Sequence, residues 1–142
     1  MSAIKKIWRF IWKDNSLLSW IINIILAFIL VKFVIYPLIG LIFNTSFPIV
    51  AVVSGSMEHD TDFNSWWSSQ SKFYSNYGIT KEDALKWPFH NGFNKGDIMV
   101  LRGVKPEKIN IGDVIVFKSK SKNPIIHRII KKWKDSNTYY FQ

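Results

Sequence analysis

The chain lacks cysteine altogether, which excludes disulfide bonds, thiolate catalysis and cysteine-based zinc sites among its 142 residues. Its three histidines form neither a three-histidine group nor a His-Glu-x-x-His pattern, and no glycine-rich phosphate loop is present, so we expect no metal and no other cofactor. Acidic residues are scarce, since 10 Asp and Glu stand against 19 Lys and Arg, a formal net charge of +9. Such a basic chain suits either nucleic acid or an anionic membrane surface.

A long apolar run near the N-terminus favours the membrane over nucleic acid as a partner. Leu17–Tyr36 is almost continuously apolar, and its length is close to the ~20 residues that a helix needs to cross a bilayer. We expect Pro37 to kink or end this helix and Lys32 to reach the far interface with its amine. A cleaved signal peptide has a shorter apolar core of about 7–15 residues and a small-residue cleavage site, which the sequence around Pro37 does not offer. The segment is therefore interpreted as an uncleaved anchor.

Basic residues before the anchor predict its orientation. They lie among aromatic side chains, as is typical of a membrane interface: Lys5, Lys6, Arg9 and Lys13. By the positive-inside rule, residues 1–15 are a cytoplasmic N-terminus, 16–43 are the single transmembrane anchor and 44–142 form an extracytoplasmic domain.

The extracytoplasmic part is predicted to be mainly β. An apolar β-branched run begins at Pro48, and further short strands are expected at Ile98–Leu101, Val114–Phe117, Ile125–Ile130 and Thr138–Phe141. The last of these patterns ends without an evident partner strand or closing turn. Two of the strands follow Gly-Asp turns, which supports a domain of short strands.

An aromatic-rich segment of about 58–95 interrupts this pattern and is interpreted as an insertion between strands. It holds a short predicted helix, Thr80–Lys86, with Thr80 as N-cap and acidic residues in its first turn. We expect its aromatic side chains to cover the core; contact with the membrane interface is the alternative.

The stretch Ser54-Gly55-Ser56-Met57 follows the first strand pattern and carries the chemistry. If the strand continues, two hydroxyls two positions apart point to one side. Ser56 could then attack a carbonyl while Ser54 donates to the resulting oxyanion. Taken alone, Ser-Gly-Ser is more often a simple turn.

A nucleophilic serine needs a base, and the histidines are the main candidates. His127 lies in an apolar strand pattern, where alternation groups it with Ile125 and Ile129, away from Arg128. A lone histidine there is more often a hydrogen-bonded core residue, although its reference pKa of about 6.5 suits general base catalysis. His59 is a rival only three residues from Ser56, whereas His90 is expected to be structural.

In chain order, the anchor and four motifs resemble type I signal peptidase over nearly the whole chain. The motifs are Ser54–Glu58, Lys95–Val100, Gly112–Phe117 and Ile126–Ile130. A histidine at position 127, where bacterial members carry a catalytic lysine, is similar to the archaeal and endoplasmic-reticulum branch.

The resemblance implies a membrane-bound serine endopeptidase with a mainly β, signal peptidase-like catalytic domain and no cofactor. Ser56 is implied as nucleophile and His127 as general base, with Ser54 and the backbone N–H of Ser56 as the oxyanion hole. Such enzymes remove signal peptides from exported preproteins after small residues at the minus-three and minus-one positions. Signal peptides, the lipid bilayer and the protein translocation channel are the implied partners, at the cell membrane or, in a eukaryote, the endoplasmic-reticulum membrane.

The chain departs from the family pattern in two places. His59 stands where the family usually has proline, and the Gly-Asp-Asn motif that orients the base would follow Gln142. We therefore interpret the chain as truncated. The alternative is that another aspartate orients the base: Asp97 and Asp113 are candidates, although they match Gly-Asp positions that look structural, and Asp135 is predicted in a loop.

The missing aspartate supports an alternative from another class, a catalytically incomplete, membrane-tethered β module that binds exported peptides. A self-cleaving Ser–Lys regulator is a third hypothesis, which the long anchor and the histidine at position 127 disfavour.

Overall fold

A computed structural model describes residues 2–120 and 123–142 of the chain. The chain divides into two compact units, Met1–Pro48 and Ile49–Gln142. The first unit is helical, whereas the second combines short strands with a helical, aromatic-rich segment.

The first unit begins with two helices, α1 at Ala3–Lys13 and α2 at Leu17–Leu30. The Ser16 side chain caps α2 by accepting the Ser19 N–H at 3.3 Å. The last carbonyls of a helix have no hydrogen-bond donor within that helix. Two side chains of α2 supply donors to carbonyls at the end of α1. The Ser19 hydroxyl donates to the Phe10 carbonyl at 2.7 Å, and the Asn23 amide donates to the Ile11 carbonyl at 2.9 Å.

The helix that starts with α2 continues through Pro37 instead of ending there. A wider π-helical turn, Val31–Ile35, precedes α3, Tyr36–Phe43, and Pro37 lies in the first turn of α3. A proline inside a regular α-helix lacks an N–H and clashes with the carbonyl four residues earlier, so a local π-turn relieves the conflict. Leu17–Phe43 is thus a 27-residue helix containing an 18-residue window of mean hydropathy 2.6, long and apolar enough to cross a membrane.

The described residues of the second unit form three separate two-stranded antiparallel ribbons. Their strands are β1 (Ile49–Ala51) with β2 (Ile98–Val100), β3 (Val114–Phe117) with β4 (Ile125–Arg128), and β5 (Lys132–Asp135) with β6 (Thr138–Phe141). The expectation that the last strand has no partner is wrong, because β6 returns along β5 through a turn at Ser136, where φ is 53°.

Two further helices, α4 at Phe63–Ser75 and α5 at Lys81–Leu85, lie in the segment predicted as an insertion. The predicted cap of α5 is confirmed, since the Thr80 hydroxyl accepts the Asp83 N–H at 3.2 Å and Asp83 accepts the Thr80 N–H at 3.0 Å. The longer α4 was not predicted. Its cap is Asp62, which accepts the N–H groups of Asn64 and Ser65.

The core of the second unit has two parts. The aliphatic cluster consists of Val52, Met57 and Phe93, with Met99, Val114 and Ile126 packed on it. The aromatic cluster has Phe63, Ile79, Ala84 and Trp87 at its centre, with Trp66, Trp67, Tyr74, Tyr77 and Ile130 around them. The expectation that insertion aromatics cover a core is confirmed for these residues.

Candidate active site

The Ser54–Ser56 loop leaves the end of β1 between two buried side chains. Pairing with the segment that leads into β2 extends to Val52, whose N–H donates to the Asp97 carbonyl at 2.9 Å. Val52 and Met57 are both buried in the aliphatic cluster, so the loop is held at each side while Ser54 and Ser56 are exposed. The two hydroxyl oxygens lie 3.3 Å apart, within hydrogen-bonding distance. The strand does not continue to these residues, because β1 ends at Ala51 and Ser56 lies in a turn, so the two hydroxyls come close through the turn and not through strand alternation.

Glu58 closes the loop, a role that the sequence did not reveal. Its carboxylate accepts the Lys95 N–H at 2.7 Å, and its own N–H donates to the Gly55 carbonyl at 3.0 Å. A Cβ atom at position 55 would lie 2.6 Å from a Glu58 carboxylate oxygen. Glycine at position 55 therefore allows the carboxylate to pack against the serine loop.

Ser56 lines an open cleft of about 480 Å³. The opposite wall is α4, which contributes Trp66, Gln70 and other residues, and Arg128 also lines the cleft. The aromatic segment thus forms part of the cleft that holds the candidate nucleophile. Sequence reasoning missed this because nothing local to α4 indicates what it packs against.

Arg128 joins the cleft to the aromatic segment. Its guanidinium donates to the carbonyls of Pro88 at 2.8 Å, Gly112 at 2.7 Å and Phe89 at 2.7 Å. The group lies over the Trp87 ring, 5.2 Å from the ring centroid, a cation–π contact. Burial lowers the pKa of Arg128 from its usual value, but an arginine side chain stays charged in proteins. Arg128 therefore brings a fixed positive charge beside the cleft.

His59 lies in the same cleft as Ser56. Its ring stacks on Trp66 at 4.0 Å between centroids, and its Nδ1 is buried without a hydrogen-bond partner in the described parts of the chain. Burial, followed by the positive charge of Arg128, lowers the pKa of His59. Both effects favour the neutral imidazole, the form that can accept a proton.

His127 is exposed on β4, where its backbone pairs with Ile115. The residues on either side of it face inward: Ile126 packs on the aliphatic cluster and Arg128 lines the cleft. Since neighbouring strand residues face opposite sides, His127 is directed away from them. It does not line the cleft of Ser56.

The remaining candidates are engaged in other contacts or lie in other elements. The Asp97 and Asp113 carboxylates each accept an N–H three residues earlier, from Asn94 and Asn110, both at 2.8 Å. No hydrogen bond joins either aspartate to His127 in residues 2–120 and 123–142. Asp135 is the last residue of β5, and His90 makes an edge contact with Phe63 at 5.6 Å. The structure thus brings together Ser54, Ser56, His59 and Arg128, and leaves His127 outside the cleft.

No group of three or more His, Asp or Glu side chains able to hold a metal ion occurs among the residues that the structure describes. No protein-family model, curated protein or solved structure matches this chain.

Proposed function

We propose that the protein is a membrane-anchored serine endopeptidase similar to type I signal peptidases of the archaeal and endoplasmic-reticulum branch, with a signal peptidase-like catalytic domain. The observation that carries the proposal is the pair of exposed hydroxyls of Ser54 and Ser56, which lie 3.3 Å apart, with Ser56 lining a cleft. A turn serine needs no second hydroxyl at this distance, whereas acyl transfer needs a nucleophile with an oxyanion donor beside it.

In the proposed reaction, the Ser56 oxygen attacks the carbonyl carbon of the scissile peptide while a base accepts the hydroxyl proton. The Ser54 hydroxyl and the Ser56 N–H donate to the oxyanion. When the C–N bond breaks, the base returns the proton to the leaving amine, and the new bond is an ester on Ser56. Water then attacks that ester, giving the free carboxylate and restoring the serine.

The proposed substrates are signal peptides of exported preproteins, cut after small residues at the minus-three and minus-one positions. Leu17–Phe43 supports this choice because it can tether the chain to the membrane that holds such substrates. Chain length limits the reach of Ser56, since fewer than about 15 residues separate it from the helix end, which is at most ~50 Å of extended chain. In this proposal the N-terminus is cytoplasmic, the catalytic unit is extracytoplasmic and the translocation channel delivers the substrate.

The identity of the base is the point at which resemblance and geometry differ. The resemblance assigns the base to His127, which requires that its ring come within hydrogen-bonding distance of Ser56 in the substrate complex. Hydrogen bonds in catalytic sites often form only once substrate is bound. His59, already in the cleft and held neutral by burial and Arg128, is the rival base.

The test is cleavage of a preprotein by the full chain in detergent, beside Ser56→Ala. We expect cleavage to depend on Ser56, and Ser54→Ala to lower kcat by about 10²- to 10³-fold, as loss of one oxyanion donor does. A serine-reactive probe should label the wild-type chain and not Ser56→Ala. Probe labelling that persists in Ser56→Ala, or its absence in the wild type, would refute the nucleophile.

Two single variants distinguish the two candidate bases, His127 and His59. We expect His127→Ala to abolish cleavage and His59→Ala to retain most of it. The reverse result would assign the base to His59. Equal and complete activity in both variants would exclude His127 and His59 as the base.

A second function, binding of exported peptides without cleavage, is favoured by one observation: His127 lies outside the cleft that holds Ser56. In that case the wild-type chain binds a synthetic signal peptide, cleaves nothing and reacts with no serine probe. Equal peptide affinity of wild type and Ser56→Ala, together with no product, would favour this function.

A further inference from the structure

Helix α1 has two opposite faces. At helical spacing, its cations fall on one side: Lys5, Lys6, Arg9 and Lys13. The other side carries Ile4, Ile7, Trp8, Ile11 and Trp12. This distribution is typical of a helix that separates water from an apolar medium.

The apolar face of α1 is not covered by the rest of the first unit. Ile4 is 78% exposed and Trp12 is 68% exposed, and no residue of α1 is buried. Trp8 and Trp12 contact each other, with ring centroids 5.6 Å apart. The helix therefore presents an aromatic and aliphatic surface that water would not stabilise.

This surface is held to the membrane-crossing helix at a fixed place. The hydrogen bonds from Ser19 and Asn23 to the Phe10 and Ile11 carbonyls join the end of α1 to the start of α2. Only three residues, Asp14, Asn15 and Ser16, connect the two helices. When Leu17–Phe43 crosses a bilayer, α1 must lie at that bilayer's surface.

The charged side forms a recess of about 510 Å³ at the same junction. Lys6, Arg9 and Lys13 line it together with Asp14. The Asp14 carboxylate accepts the Ser16 N–H at 2.9 Å, so it is engaged in the turn. Three cations against one engaged carboxylate favour an anionic occupant of headgroup size.

We propose that α1 is a second membrane-binding element, which lies in the plane of an anionic bilayer surface and holds acidic lipid headgroups in the recess of Lys6, Arg9 and Lys13. The occupant is the bilayer itself because the spanning helix delivers α1 to it and the recess has the complementary charge. This role is independent of peptidase activity, because it uses no residue of the Ser56 cleft.

The absence of cysteine provides a direct test of the apolar face, since a single introduced cysteine is the only labelling site. Spin labels are placed in the full chain, one at a time, by Ile4→Cys, Lys5→Cys, Lys6→Cys, Ile7→Cys, Trp8→Cys and Arg9→Cys. Each variant is reconstituted into nanodiscs of phosphatidylglycerol and phosphatidylcholine. Collision rates with oxygen and with a water-soluble nickel chelate then give the depth of each label.

We expect labels at positions 4, 7 and 8 to collide mainly with oxygen, and labels at 5, 6 and 9 mainly with nickel. Similar nickel exposure at all six positions would overturn the proposal, because the helix would stand in water. Shielding from both reagents at positions 4, 7 and 8 would also overturn it, because a protein surface would then cover the apolar face.

A charge test addresses the recess. The full chain is compared with Lys6→Gln/Arg9→Gln/Lys13→Gln, and with a control that removes the same charge from exposed lysines of the second unit, Lys72→Gln/Lys105→Gln/Lys108→Gln. The readout is the preference for spin-labelled phosphatidylglycerol over spin-labelled phosphatidylcholine. We expect the recess variant to lose at least about fivefold in preference, the effect of one cation at an anionic surface. An equal loss in the control would overturn the assignment of the recess.

Discussion

The two units of the chain bury opposite kinds of side chain. Among the residues of the second unit that the structure describes, eight apolar ones are buried, including Phe63 and Trp87, as in a protein that folds in water. In Leu17–Phe43 the leucine, isoleucine, valine and phenylalanine side chains are mostly exposed, and the one buried side chain is Ser19, at 0% exposure. This is the difference expected if lipid surrounds the helix and water surrounds the domain.

The buried polar groups nevertheless act in the same way in both units. Ser19 and Asn23 donate to two carbonyls at the end of α1, and Arg128 donates to three carbonyls of loops near the cleft. A backbone carbonyl removed from water is costly unless a donor reaches it. Each unit therefore uses side chains where regular secondary structure leaves carbonyls unpaired.

The largest expected effect comes from removing the buried polar group of the domain. Arg128→Met leaves the carbonyls of Pro88, Phe89 and Gly112 without this donor, and each hydrogen bond to a charged group contributes about 1.5–3 kcal/mol. Because the three losses are not additive, we expect the free energy of unfolding to fall by about 3–5 kcal/mol, measured by urea denaturation of the detergent-solubilised chain.

The matched control is Arg102→Met, since Arg102 is exposed and we expect its loss to change stability by no more than about 0.5 kcal/mol. Arg128→Lys is a sharper comparison, because an ammonium cannot reproduce the planar fork of a guanidinium. Full stability in Arg128→Lys would mean that a positive charge is sufficient and that the planar fork of the guanidinium is not required.

The second prediction tests the difference in solvent directly. Leu26 is 42% exposed and Ile98 is 70% exposed, so both would tolerate arginine in water. If lipid surrounds Leu26, Leu26→Arg costs about 2.5–3.5 kcal/mol of insertion free energy, and the fraction of chain that resists alkaline extraction from membranes falls. We expect no such fall for Ile98→Arg. An equal extracted fraction for the two variants would mean that lipid does not surround Leu26 and that the two units do not differ in solvent.

The sequence predicted elements whose signals are local. Thr80 has a capping partner three residues away, and the Gly-Asp pairs before β2 and β3 set the same turn twice, with φ of 98° at Gly96 and 95° at Gly112. The apolar run predicted the long helix. It left open whether Pro37 kinks or ends the helix, because passage through Pro37 depends on a π-turn whose residues carry no distinctive pattern.

The cleft could not be predicted, because distant segments form it. Gly112 illustrates the difficulty: a Cβ atom there would overlap the Trp87 ring, a contact across 25 residues of sequence that no local rule reveals. Helix α4 did carry a signal that was overlooked, since Asp62 precedes aromatics at helical spacing, Phe63, Trp66, Trp67 and Tyr74. The serines of α4 weaken its helical pattern, because serine is not a strong helix former. In the same way, the lysines of β5 weaken its strand pattern.

A smaller effect is expected at the junction of α1 and α2. Ser19→Ala/Asn23→Ala leaves the Phe10 and Ile11 carbonyls without these donors, and hydrogen bonds between helices in membranes contribute about 0.6–2 kcal/mol each. We expect the spin label of Ile7→Cys to become more mobile in this background. Ser2→Ala is the control, because the Ser2 side chain makes no capping hydrogen bond. Unchanged mobility would mean that the bilayer alone fixes α1.

The smallest effect concerns the pH dependence of the domain, and it comes from His59. Burial and the charge of Arg128 lower the pKa of His59 in the folded chain, so between that value and about 6.5 the unfolded chain binds more protons. Stability must therefore fall as pH decreases from about 7 through this range. The pKa values of Asp62 and Asp83 are also lowered, but they act below their reference value of 3.8 and so do not overlap with it.

His59→Gln isolates this contribution. At pH 7.5 the variant is less stable than wild type, because it loses the stacking contact with Trp66. This part of the difference does not depend on pH. As pH falls toward 5, wild type alone must protonate a desolvated imidazole near a cation, so we expect the difference in free energy of unfolding to shrink. Urea denaturation at several pH values measures it. A difference that stays constant from pH 7.5 to 5 would show that Arg128 and burial do not control the charge of His59, and its claim as a base in the cleft would weaken accordingly.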